Sequence, residues 1–136
     1  MKPADLSGRW TGVYFYPVDA EFNPHDGLPP TPFEAQVRDA GGEVSGSTLE
    51  PDALGPPGAS PIPALIEGHH FDGQLIFTKF PDGGGQPHSI DYVCAISSDG
   101  NSIAGRWVIH GDWSGAFRMQ RSLTPVSAAL EVVTTA

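Results

Sequence analysis

Between its apolar segments this chain leaves no room for a helical return. Eight short stretches rich in β-branched and aromatic residues follow one another, and no connection carries a stretch long enough for a crossover helix. Parallel strands need such a crossover, of about a dozen residues or more, whereas antiparallel neighbours close through short turns. Sequence neighbours are therefore expected to pair antiparallel, and a meander of that kind closes most simply into an up-and-down barrel. The fold class expected is all-β, an eight-stranded antiparallel barrel. The 17 glycines and 14 prolines among 136 residues, without collagen-like spacing, agree with many turns between short elements. With 39% hydrophobic and 17% charged residues, residues 1–136 are expected to form one globular domain around one core.

Strands are predicted over 7–16, 32–39, 43–50, 62–71, 74–80, 88–97, 102–110 and 113–121, with a tail over 122–136 that carries a short helix around 128–133. Alternation puts Trp10, Gly12, Tyr14 and Tyr16 on one face, and likewise Phe33, Ala35 and Val37, then Val44, Gly46 and Thr48. Ile90, Tyr92, Cys94 and Ile96 are in phase, as are Ile103, Gly105, Trp107 and Ile109, and Trp113, Gly115, Phe117, Met119 and Arg121. Asp72-Gly73 suits a two-residue type I′ hairpin, since both of its central positions need positive φ. That turn sorts residues 62–80 into two faces, Leu65, Glu67, His69, Ile76 and Thr78 against Ile66, His70, Leu75, Phe77 and Lys79. The phase with Leu75 and Phe77 inward is the one expected.

In a meander the connections fall alternately on the two ends. The long ones, 18–31, 51–61 and 81–87, all fall on one end, and the other has tight Gly-rich turns. One end is thus an open mouth. An eight-stranded barrel either fills with side chains or holds one small ligand, so the mouth is the default binding site. At the tight end an even strand count brings Trp10 beside Arg121, and a guanidinium over an indole contributes about 0.5–2 kcal/mol. This pair is read as a structural floor.

Gly8-Arg9-Trp10 opening the first strand and Arg121 ending the last resemble the calycin group, meaning the lipocalins, fatty-acid-binding proteins and avidins. The nearest likeness is to the avidins, carried by Leu6 to Thr11, Gly42 to Ser47, and Cys94 to Trp107 with its Asp99-Gly100-Asn101 turn. The resemblance implies the barrel and a pocket at its open end. It does not imply biotin binding, because Gly12 stands where an avidin has Asn, Tyr16 where it has Ser, and Thr48 where it has Tyr. Trp107 matches an avidin pocket Trp.

A net charge of −9 repels phosphate backbones and anionic membrane surfaces, so neither nucleic acid nor a membrane is expected as a partner. Cys94 is the single cysteine, which rules out an intrachain disulfide and a four-cysteine zinc site. The opening residues Met1 to Leu6 show no apolar stretch of signal-peptide length and no eighteen apolar residues run together, so a cytoplasmic location is expected.

Seven aromatic side chains, Tyr14, Tyr16, Phe77, Tyr92, Trp107, Trp113 and Phe117, are the candidate ligand contacts. They admit two readings. Either they line a largely apolar cavity furnished with hydroxyl and indole donors, suited to a small apolar or amphipathic molecule, or they fill the barrel. His25, His88 and His110 fall in the long-loop half, but they lack ligand spacing, and no metal or cofactor is expected. His69 and His70 point to opposite faces of one strand and cannot chelate one ion. Asp91 and Asp112 with His88 or His110 give a conceivable acid-base set for an enzymatic alternative. Ser114 lacks a nucleophile elbow, Cys94 reads as packing, and Gly83-Gly84-Gly85 lacks the helix a phosphate loop requires. A third reading is a homodimer or interaction protein associating through outward residues such as Val13, Phe15 and Val108.

Overall fold

The computed structural model describes residues 4–21, 23–52, 56–82 and 89–122. The expected helix around 128–133, the Gly83-Gly84-Gly85 tip and His88 lie outside them. The described residues form a closed barrel of eight antiparallel strands in sequence order: β1 Gly8–Tyr14, β2 Thr31–Ala40, β3 Glu43–Glu50, β4 Ile62–Phe71, β5 Gln74–Pro81, β6 Ile90–Ile96, β7 Ser102–Val108 and β8 Ser114–Arg121. Closure is made by β1 against β8, with Trp10 opposite Arg121 and Tyr14 opposite Phe117. Asp72 and Gly73 have φ of 56° and 81°, the left-handed pair a type I′ turn needs. No helix among the described residues is long and apolar enough to cross a membrane.

The strands differ from expectation mainly at their ends. β1 is shorter than 7–16 because Ser7 belongs to a strap that crosses the tight end, while beyond Tyr14 only the Phe15 N–H still reaches β8, at Ala116 O, before Pro17. β7 stops at Val108 because the Ile109 carbonyl accepts the Asp112 N–H in a turn, although the Ile109 N–H still reaches Trp113 O. The inward phase of β4 and β5 is the one with Ile66, His70, Leu75, Phe77 and Lys79. Bringing His70 and Lys79 inside would be prohibitive if they were unpaired, and each meets a carboxylate, Asp39 and Glu50 respectively.

The tight end is sealed. Trp10 is fully buried, donates its indole N–H to Leu6 O at 2.8 Å, and is covered by the Arg121 guanidinium 4.7 Å from the ring centre. Arg121 donates to Ser7 O, Asp5 O, Gly100 O and Asn101 Oδ1 at 2.8–3.0 Å, binding strap, turn and last strand into one unit. Asp39 completes the seal: it accepts the Leu6 and Gly42 N–H groups at 2.9 Å and lies 2.6 Å from His70 Nε2.

Burial works against an ionised Asp39, yet the Leu6 N–H, His70 and the Gly42 N–H outweigh it and hold its pKa below the ordinary 3.8. A carboxylate lowered in this way stabilises the fold fully above its unfolded pKa and loses that contribution as pH falls through its folded value. Below about pH 4, therefore, Asp39→Asn is expected to show a flatter acid limb than the parent chain, having lost stability already at neutral pH. Thermal melts carried from neutral pH into acid check this, and equal slopes would remove Asp39 from the acid response.

Candidate functional site

The opposite end keeps a cavity of about 120 Å³, walled by Tyr14, Tyr16, Tyr92, Trp107 and Trp113 among others. Its aromatic wall is held from several strands at once. Tyr16 stacks on Trp113 with ring centres 5.4 Å apart and 24° between planes, and Trp107 meets Trp113 edge-on at 5.4 Å. Trp107 donates its indole N–H to Phe15 O at 2.9 Å, and the Tyr16 hydroxyl lies 2.8 Å from Thr31 Oγ1. Gly115 makes this seat possible: a Cβ there would stand 2.3 Å from Phe15 O and 2.7 Å from the Trp107 ring, closer than side chains tolerate.

At the cavity's base lies a charged pair that the sequence reading did not single out. Lys79 Nζ donates to Glu50 Oε1 at 2.8 Å, and the Tyr14 hydroxyl donates to Glu50 Oε2. Both charged side chains are less than a tenth exposed, yet both line the cavity. The ammonium sits 4.9 Å from the Tyr14 ring centre and 5.8 Å from that of Tyr92. Burial opposes the charge on Lys79, but the neighbouring Tyr92 hydroxyl and Glu50 outweigh it and hold its pKa above the usual lysine range. Burial, reinforced by Glu50, pushes the Tyr14 phenol up, and burial likewise raises Tyr92 against the opposing pull of Lys79. The base is thus an ammonium with a carboxylate, ringed by neutral phenols. A lysine so held is a hydrogen-bond donor and not a nucleophile.

A signal for this pair was present in the pattern. Glu50 continues the Val44, Gly46, Thr48 phase, and Lys79 continues that of Leu75 and Phe77, so both were due inside. A lysine inside a barrel requires a carboxylate, and Glu50 is the one carried inward on β3. Thr48, one step further down that face, has a buried hydroxyl without a hydrogen-bond partner among the described residues.

Of the seven aromatic candidates, five line the cavity and two do not. Phe77 and Phe117 lie in the packed core, Phe77 stacked on Tyr92 at 4.4 Å and Phe117 edge-on to Tyr92 at 4.8 Å. The rings are thus divided: the lower barrel is filled, and the mouth keeps a cavity. His25 is exposed on its loop. His110 Nε2 does come within 2.8 Å of Asp91 Oδ2, and Thr78 donates to the other Asp91 oxygen at 2.7 Å, but this cluster sits on the outer wall and does not line the cavity. Asp112 does not line it either, and the Ser114 hydroxyl accepts from Arg106 at 3.1 Å on the outside. Cys94 is buried and its thiol is pushed up to about 12 by that burial. Among the described residues no group of three His, Cys, Asp or Glu side chains is arranged to hold a metal ion.

Val13, Phe15 and Val108 do point outward but are half-buried, Phe15 under the Arg118 guanidinium at 5.5 Å. Besides Val18 in a loop and Leu49 on β3, the exposed large apolar side chains are on β4, β5 and β6, where Leu65 pairs with Phe80 and Ile76 with Val93.

No protein-family model matches the chain, and no curated protein sequence matches it. The functional reading therefore rests on the geometry of the barrel and its mouth.

Proposed function

We propose that this chain is a non-enzymatic binding protein, a calycin-like barrel that takes one small amphipathic molecule into its long-loop mouth. The observation that carries this reading is the aromatic cavity based on the Glu50–Lys79 pair. A buried ion pair is a weak source of stability, and well-packed apolar residues of similar volume often serve as well or better. Its presence under an open aromatic wall, at the end of the barrel away from the His70–Asp39 pair that helps seal the floor, favours a role in recognition. The enzymatic alternative has less support, since its His–Asp pair is outside the cavity. A cytoplasmic setting goes with the reading, as the lone buried thiol of Cys94 needs no oxidising compartment.

The test is a chemical-shift titration with toluene. Saturable shifts are expected at the Trp113 and Trp107 indoles and at the amides of Tyr16 and Lys79, weakened at least tenfold in Trp113→Ala while its melting temperature stays within a few degrees. Shifts that never saturate, or that scatter over the outer wall, end the reading.

A second reading, a homodimer, is favoured by the outer face of β4 to β6. Leu65, Val93, Phe80 and Ile76 are 63%, 56%, 46% and 45% exposed there. In a chain of net charge −9, a second copy must approach where like charge is sparse, and the outward carboxylates of these three strands are only Glu67 and Asp91, the latter tied to Thr78 and His110. Sedimentation equilibrium is expected to show a dimer that Leu65→Glu with Val93→Glu dissociates. A parent chain monomeric up to millimolar concentration contradicts it.

A further inference from the structure

The charge state of the cavity's base specifies more than the presence of a ligand. Glu50 and Lys79 neutralise one another across 2.8 Å, so the base holds no net charge to offer. A ligand carboxylate would add a second negative charge beside Glu50, and a ligand ammonium a second positive charge beside Lys79. Either would be desolvated without a partner of its own. The hydrogen-bond inventory is equally selective. Both Glu50 oxygens already accept, one from Lys79 and one from the Tyr14 hydroxyl, whose proton is thereby committed. An ammonium has three N–H donors. Of those on Lys79, one goes to Glu50, and the side chain itself lines the cavity. The group that fits is therefore an uncharged acceptor for the lysine, and a carbonyl oxygen is the simplest such group.

Size and wall chemistry narrow the rest of the molecule. An apolar cavity of about 150 Å³ takes benzene, and this one, at about 120 Å³ and open to solvent, suits a single ring. The ring's neighbours are Tyr16 and Trp113, already stacked on each other, and the edge of Trp107. Asp52 also lines the cavity, a further carboxylate against an incoming anion, so that of the two ions the anion is the more strongly rejected.

Building on the binding reading above, we infer that the mouth selects neutral molecules with one aromatic ring bearing a carbonyl oxygen, seated with the ring on Trp113 and the oxygen on Lys79 Nζ. Anionic amphiphiles such as fatty acids are rejected by the same base.

Four single-ring probes decide it at neutral pH: toluene, acetophenone, benzoate and benzylammonium, titrated into the parent chain and into the double variant Glu50→Gln/Lys79→Met and followed by chemical shift. In the parent chain acetophenone is expected to bind at least tenfold tighter than benzoate or benzylammonium and several-fold tighter than toluene. In the double variant the preference for acetophenone over toluene is expected to disappear. Acetophenone no better than toluene in the parent chain, or benzoate or benzylammonium binding as well as acetophenone, overturns this inference while leaving the binding reading in place, because toluene still enters. Absence of saturable binding by all four overturns both. If the double variant does not fold, the comparison of the four probes on the parent chain decides the matter alone.

Discussion

Lys79→Met is expected to destabilise the barrel by about 3–5 kcal/mol, because it leaves the Glu50 carboxylate buried without its counter-charge. The loss is not one of apolar packing: methionine keeps most of the lysine stem, so the cost isolates the stranded charge. Adding Glu50→Gln to the same chain is expected to recover most of the stability, since the Tyr14 hydroxyl can then donate to an uncharged acceptor and no ion remains to be compensated. The pair is thus predicted to be strongly non-additive, with the double variant more stable than Lys79→Met alone. Chemical denaturation of the parent, the two single variants and the double variant measures this directly. Additive losses would mean that the two side chains do not share a desolvated site and that the base of the cavity is wet.

At the other end of the barrel, Trp10→Ala is expected to cost about 3–5 kcal/mol, the usual range for deleting a fully buried large aromatic side chain. Two things are lost together, the packing of the indole beneath Leu6 and the surface on which the Arg121 guanidinium rests. Arg121→Ala should cost less, because its carbonyl partners on the strap and turn are near the surface, where water can replace the lost donors. Denaturant midpoints in that order, Trp10→Ala well below Arg121→Ala, check the reading of this end as a structural floor. The reverse order would make Arg121 the main fastener. Because the floor and the mouth are at opposite ends, toluene affinity in the folded fraction of either variant is expected to stay as in the parent chain.

Much of the architecture was legible because local and long-range signals agreed. Asp72-Gly73 fixed one hairpin, that hairpin sorted Leu75 and Phe77 onto one face with Ile66, and the even strand count brought Trp10 to Arg121. Strand ends were less legible, since they depend on which tertiary acceptor an N–H finds. Ser7 leaves β1 because its hydroxyl accepts the N–H of Asp39, a residue 32 positions away. The site was legible only in its apolar half. The wall aromatics stood out by residue type, whereas Glu50 and Lys79 each looked like a charge near a strand end, and only the closed register makes them neighbours through β3, β4 and β5. His110 and Asp91 show the converse. They are close in space as an acid-base pair would be, but Asp91 falls on the odd, outward phase of β6, which removes it from the cavity.

A crystal structure of the chain grown with acetophenone puts the central claim to its most direct trial. The account predicts density for one ring against Trp113 and Tyr16 with its oxygen within hydrogen-bond distance of Lys79 Nζ, and Glu50 still paired to the lysine. A mouth filled by its own side chains, or a Lys79 turned out to solvent with Glu50 unpaired, would contradict it.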